Sequence, residues 1–163
     1  VAALDRMNDP LRDLYTSISP SDEQLSVTYR SPARQENPEE TEAQLLQAMA
    51  EKRDDEAKLG YTLIGPHRDH VIFNLDTHPV HKFGSKGQMK SVLLAWKLAE
   101  AGFLATETGH KPVLLMDDIF SELDDKRANA VLDLIGAYGQ SILATARDPD
   151  LDLKGRGYET IEL

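Results

Sequence analysis

Two adjacent carboxylates, Asp117 and Asp118, follow directly on the apolar run Val113–Met116, within PVLLMDDIFSELDD (112–125). A short uninterrupted apolar run behind a proline predicts a buried strand of a parallel sheet. In open α/β sheets ligands sit beyond the carboxyl ends of the strands, so acids placed there face a site. Burying adjacent carboxylates is costly unless a cation or hydrogen bonds compensate them. A Mg²⁺ ion carrying a phosphate ligand would do so, because it prefers oxygen and takes one or two carboxylates. The pattern is that of a Walker B strand, with Asp117 at the metal position and Asp118 placed to polarise an attacking water. A plain strand whose acids cap the next element would share the hhhhDD pattern, so the neighbouring residues must decide.

Ser121-Glu122-Leu123-Asp124 comes next and opens a helical pattern through Ala128, Val131, Leu132 and Ile135. Ser121 and Asp124 are both N-cap candidates. In fixed order, DD-x-x-SELD also resembles the Walker B strand and D-loop of ABC-type ATPases. The second informative stretch is FGSKGQMKSVLLAWKLAE (83–100), a small-residue loop, Gly84-Ser85-Lys86-Gly87-Gln88, leading into a helix. Glycines let backbone amides approach a phosphate, and a helix N-terminus favours an anion. Ser85 and Lys86 add a hydroxyl and an ammonium donor for the same anion. Gly84, Lys90 and Ser91 fit the register of a Walker A loop, but Met89 stands where its second glycine must be. A methionine there obstructs the tight phosphate wrap, so that reading is rejected. GSKGQ matches instead the LSGGQ-like signature loop of ABC ATPases. It precedes the acidic strand by a helix and a connection containing Gly102 and Gly109.

The remaining elements position these stretches. Residues 1–20 carry a weak helical pattern through Leu4, Met7, Leu11 and Leu14 that Pro10 breaks. Leu25–Arg30 alternates as a half-exposed strand. Residues 31–38 form a polar, proline-punctuated loop, and Thr41–Leu59 a helix with Leu45, Leu46, Met49 and Ala50 on one face. Its charge run, Glu51 to Glu56, is a solvated face. Tyr61–Ile64 is a short strand, Gly65-Pro66 a turn displaying His67, Arg68 and Asp69, and His70–Leu75 a further strand. A turn at 76–79 precedes Val80–Phe83. His-x-x-His occurs twice, at 67/70 and 78/81, but without cysteine or matched carboxylate spacing it is a poor zinc signature. Beyond the acids come a helix over 126–138, a buried strand at Ser141–Ala144 and a short strand at Tyr158–Leu163.

The 163 residues, 40% hydrophobic and 28% charged, are ordinary for a soluble globular protein. No run reaches the length of a membrane span and no signal-peptide pattern opens the chain. Absence of cysteine excludes disulfide and thiolate chemistry and fits a cytoplasmic location. A net charge of −10 argues against this segment forming a nucleic-acid surface on its own.

Taken together, GPHRD (65–69), GSKGQ (84–88), LLMDDIFSELD (114–124) and ATARDP (144–149) resemble the C-terminal part of the RecF family within the ABC/SMC-like ATPases. The resemblance is close over 60–150 and loose before it. Asp-Asp in place of Asp-Glu, and GPHRD ahead of the signature loop, set the family apart. It implies an α/β fold: a partial ABC-ATPase head, with the Walker B and signature half of a mainly parallel sheet, and a helical subdomain. Residues 1–59 would belong to that helical subdomain and 60–163 to the head. The implied activity is a DNA-dependent ATPase, using ATP and Mg²⁺, that forms an ATP-dependent homodimer at single-strand/double-strand junctions. With RecO and RecR it would act in recombinational repair of gapped DNA, stalled replication and the SOS response.

By the same resemblance Asp117 would bind Mg²⁺ and Asp118 polarise water. Ser85, Lys86, Gly87 and Gln88 would reach the γ-phosphate held by the partner subunit, and Ser121 and Asp124 would communicate across the interface. Ala146 replaces a switch histidine, leaving Arg147 as a possible sensor, with Arg68 a second candidate. No Walker A motif is present, so the chain is expected to be the C-terminal portion only and inactive alone. Two other readings compete: a non-catalytic protein-docking module built on the acidic helix, and a Mg²⁺-dependent phosphohydrolase using Asp117 and Asp118 without ATP.

Overall fold

Helix α1 (Ala2–Ile18) runs straight through Pro10, where the sequence predicts a break. A proline inside a helix costs about 3 kcal/mol or more. Pro10 is exposed, whereas Met7, Leu11, Tyr15 and Ile18 are buried. Burying each such side chain contributes about 1.5–3 kcal/mol, so the stripe outweighs the lost hydrogen bond. Packing, not local propensity, decides this helix.

The computed structural model describes residues 2–19, 21–31, 38–121, 123–145, 153 and 155–161. After α1 come β1 (Leu25–Arg30), α2 (Pro38–Leu59), a 3₁₀ turn (Pro66–Arg68), β2 (His70–Leu75), β3 (His78–Pro79) and α3 (Val80–Phe83). The long α4 (Lys86–Thr108), β4 (Leu114–Asp117), α5 (Asp125–Gly136) and β5 (Ser141–Ala144) complete the order. One sheet has the order β1-β2-β3, with β2 and β3 antiparallel, Leu75 opposite His78. The other pairs β4 with β5 in parallel, Leu114 beside Ser141 and Asp117 beside Ala144. The α/β class and its parallel pair agree with the expected ABC-type head. Tyr61–Ile64 and 158–161 are not strands, and the last two positions of the expected final strand lie outside the described residues.

The chain forms two compact units, Val1–Ser26 with Phe73–Leu163, and Val27–Ile72. In the first, α1 packs along α4 and against α5. Val92, Leu94, Ala95, Leu98 and Ala99 of α4, and Val131, Leu132 and Ile135 of α5, are buried. Phe73 meets Trp96 edge-to-face, ring centroids 5.3 Å apart. Gly102 is not in a connection but inside α4, where a Cβ would lie 3.7 Å from the Tyr138 hydroxyl. The helix ends at Gly109, whose φ of 71° is the left-handed conformation a glycine adopts without penalty.

The second unit is built round α2. Its apolar side is exposed, Leu46 and Met49 included. Glu56, expected in the solvated charge run, instead accepts from the Leu63 amide at 2.6 Å and from Ile64 N at 3.3 Å. These bonds hold the segment the sequence reads as a strand. Arg68 donates from Nε and Nη2 to the Thr62 carbonyl, at 3.0 and 2.9 Å, and lies 5.2 Å from the Tyr61 ring centroid. Its guanidinium therefore braces its own loop. Tyr29 donates a short hydrogen bond to Asp69.

Burial of the Tyr15 hydroxyl holds its phenol above the ordinary 10.0, and the charge of Glu23 pushes the same way. A folded-state pKa above the unfolded one stabilises the fold below pH ~10 and loses that contribution as pH rises through it. Y15F is therefore expected to show a shallower loss of stability above pH ~10 than the parent, in denaturant melts across that range.

Candidate functional site

Asp117 ends β4 and Asp118 begins the turn that follows. Asp118 N still donates to Ala144 O of β5 at 2.8 Å, so the ladder reaches this residue before the chain departs. Asp118 then adopts φ 48°, the left-handed region, which aspartate tolerates better than most residues. Strain of this kind costs on the order of 1–3 kcal/mol and persists only where the surroundings enforce it. The enforcement is visible. Lys90 Nζ, one turn into α4, donates to Asp118 O at 2.6 Å and to Ser121 Oγ at 2.8 Å. The Ser121 hydroxyl donates to the same carbonyl at 3.2 Å. Beneath the turn, Ile119, Phe120 and Leu123 are buried.

Both carboxylates are exposed, so the burial cost expected for paired acids does not arise. The strand is also less enclosed than predicted. Leu114 is buried, but Leu115 is 74% exposed and its register partner Ile142 56%, leaving one face of the parallel pair uncovered. Among the described residues no group of three or more His, Cys, Asp or Glu is arranged to hold a metal ion. What remains is a pair of exposed oxygen donors at a strand end. That set suits a hard cation taking its other ligands from water and phosphate, as Mg²⁺ does.

Asp124 is the N-cap of α5, its carboxylate accepting from Arg127 N at 2.9 Å. Ser121 is not a cap but part of the turn. Arg127 Nη2 donates to the buried Ser19 hydroxyl at 3.1 Å, tying the start of α5 to the end of α1. D124A is expected to cost about 1 kcal/mol, the usual worth of an N-cap, read from the denaturation midpoint.

The expected small-residue loop is a helix start. Ser85 is the N-cap of α4, so Lys86, Gly87 and Gln88 lie in its first turn. Ser85 Oγ accepts from Gln88 N at 3.1 Å and Ser85 N donates to Gln88 Oε1 at 2.8 Å, a capping box. Because the Ser85 hydroxyl accepts there, its own hydrogen is not used by the cap. Gly84 owes its identity to packing: a Cβ would sit 2.7 Å from the Val80 carbonyl oxygen. Gln88 Nε2 also donates to Glu23 at 2.7 Å, and Glu23 accepts from Ser21 as well. Ser91 is fully buried. Its hydroxyl faces the core, away from where a phosphate loop's metal-binding serine would stand.

The structure thus brings Asp117, Asp118 and Ser121 together, with Lys90 linking their turn to the helix that starts at Ser85. Glu23 escaped the sequence reading, and Lys90 entered it only through the rejected Walker A register, because both act through contacts distant in sequence. Arg68 belongs to the second compact unit, and Ala146 and Arg147 lie outside the described residues. No described helix is long and apolar enough to cross a membrane.

No protein-family model matches the chain. Curated relatives do. The chain is 38% identical over 150 residues to the DNA replication and repair protein RecF of Lactobacillus delbrueckii subsp. bulgaricus, covering 90% of the chain and 39% of the relative. It is 34% identical over 162 residues to that of Lysinibacillus sphaericus, covering 98% and 42%. It therefore spans about two fifths of the length of these relatives. Among solved structures, the recombination mediator protein RecF with bound ATPrS in the RecFOR pathway superposes with a TM-score of 0.70 at 30% identity, covering 90% of the chain and 40% of that structure. An SMC head bound to the C-winged helix domain of ScpA shares the fold, with a TM-score of 0.53 at 18% identity. In sequence and in fold, the chain is similar to the C-terminal portion of the RecF proteins.

Proposed function

We propose that, in an intact RecF-type protein, this chain supplies the Walker B and signature half of a composite ATP site in an ATPase that acts on DNA. The observation that carries the reading is the joining of two motifs in one place. Lys90 of α4 donates to the Asp118 carbonyl and the Ser121 hydroxyl, at 2.6 and 2.8 Å, and so links the turn that follows β4 to the start of α4. Asp117, with Asp118 beside it, would hold Mg²⁺, which when bound neutralises developing charge on the transferred phosphoryl group. Asp118 would orient a water and accept its proton. Ser85, Lys86, Gly87 and Gln88 would face a nucleotide held by the partner subunit, offering the N-terminus of α4 to its terminal phosphate. Ser121 and Asp124 would form the contact through which the two subunits sense each other. The carry-over of Arg68 and Arg147 as sensors rests on the family resemblance alone.

On the same reading the intact protein dimerises with ATP on single-strand/double-strand DNA junctions in the cytoplasm. There it would work with RecO and RecR in recombinational repair of gapped DNA. A solved relative with bound ATP, matched at 28% identity and a TM-score of 0.65, supports the nucleotide. The acidic balance of this segment, −10, supports placing the DNA surface elsewhere in the protein.

The test is calorimetry and light scattering with Mg·ATP at protein concentrations of about 50 µM, suited to micromolar affinities. The intact protein is expected to bind nucleotide and double its mass. This chain alone, without a phosphate loop, is expected to bind none detectably. Binding by this chain alone would return Gly84–Ser91 to consideration as a phosphate loop, and an intact protein indifferent to Mg·ATP would end the ATPase reading.

A further inference from the structure

The lysine that links the two motifs has no role in either of them. We propose that Lys90 is a positioning residue, a clamp that fixes the backbone of Asp118 and couples the first turns of α4 to the turn after β4. This rests on the ATPase reading above and extends it to a residue that no motif assigns.

The peptide of Asp118 is held from two sides. Its N–H is committed to β5 through Ala144 O at 2.8 Å. Its carbonyl receives the Lys90 ammonium at 2.6 Å and the Ser121 hydroxyl at 3.2 Å. Between these anchors the residue takes φ 48°, a conformation sparsely populated by non-glycine residues. An ammonium has three donors and no acceptor. Here two of those donors converge on one short turn, since Ser121 Oγ also accepts from Lys90 at 2.8 Å. A charged donor makes each bond stronger than a neutral pair would. The backbone from which the Asp118 carboxylate projects is therefore held by a side chain on another element.

The geometry also gives the clamp a direction. Lys90 follows closely on the Ser85–Gln88 capping box, so any displacement of the first turn of α4 moves the lysine's root. In the proposed dimer that turn faces the partner's nucleotide, whereas Asp118 serves the chain's own. A single side chain then ties the two half-sites of one subunit, making turnover at one sensitive to occupancy of the other.

A plainer role is available. The Lys90 stem lines an apolar groove of about 400 Å³ with Leu93, Leu94, Val113 and Leu115. Lysine stems commonly cover apolar surface in this way. K90M separates the two roles, because methionine keeps most of the stem and removes every donor.

The experiment uses the intact protein, with D118N assayed beside the Lys90 variants. K90M is expected to lower kcat about tenfold, within the range that misplacing a reacting group produces. The KM for ATP should stay within about twofold, and K90R should recover most of the turnover, since guanidinium donors can reach the same acceptors. Without nucleotide, amide hydrogen exchange of residues 119–121 should be faster in K90M than in the parent, with α5 unchanged. If K90M turns over like the parent while D118N has collapsed, and exchange is also unchanged, the clamp is disproved and the stem-packing role stands. Should D118N itself turn over normally, the ATPase reading of the acids fails, and the exchange comparison still decides the clamp. K90Q, with a neutral amide in place of the ammonium, replaces K90M if the latter does not fold.

Discussion

Asp118→Asn in the intact protein is expected to leave ATP bound and to reduce turnover by about 10²–10⁴-fold, the range associated with loss of a positioned general base. The substitution is suited to its purpose. Asparagine matches aspartate in size and is, with it, among the residues that tolerate positive φ, so the turn at φ 48° should survive. The bonds from Lys90 and to Ala144 use backbone atoms of Asp118 and are untouched by the change. What disappears is the negative charge and the capacity to take a proton. The measurement is kcat beside the nucleotide Kd, both on the same preparation. Turnover above a tenth of the parent's would remove Asp118 from the chemistry. The competing readings diverge here. A docking module predicts no change in any ATP-linked property, and a Mg²⁺-dependent phosphohydrolase predicts a loss already visible in this chain alone.

Phe120→Ala is expected to cost about 3–5 kcal/mol, the usual range for truncating a buried phenylalanine. Phe120 is 1% exposed, and its neighbours Ile119 and Leu123 are buried with it. These side chains seat on the core the turn that carries Asp118 and Ser121 on its outer side. Domains are stable by only about 5–15 kcal/mol, so the loss is a large part of the whole. For a chain of this size it corresponds to a fall in Tm of roughly 6–20 °C. Denaturant and thermal melts of the chain would show it. A loss below ~1 kcal/mol would mean that the turn is seated by its hydrogen bonds instead.

The parts of the site legible in the sequence are those where residue type and chemistry coincide. VLLMDD reads as a strand ending in acids because apolar runs of this length fit few other elements, and β4 pairs in parallel with β5 as expected. SELD reads as a helix start, and Asp124 is indeed its cap. The faces of β4 were not legible. An apolar run predicts burial on both sides, but Leu115 is 74% exposed, because a strand's alternation says nothing about which layer covers it. The glycines of GSKGQ suggest a loop; the reciprocal bonds between Ser85 and Gln88 make it helical from Lys86. Pro10 misled for the opposite reason, a strong local signal overruled by the buried stripe beside it. Glu23 gave no signal at all, and Lys90 only that of the rejected Walker A register, because their partners lie far along the chain.

The parallel pairing of β4 with β5 also dictates when the site can exist. Leu114 and Ser141 become neighbours only after the whole of α5 has folded back between them. Such non-local pairings form late, since the entropy of closing the intervening loop is lost before any ladder bond repays it. The last bond of that ladder is the one from Asp118 N to Ala144 O. The geometry of the acids therefore depends on this non-local pairing and not on the local sequence alone. An emerging or partly unfolded chain carries the motif without its geometry until the crossover has closed.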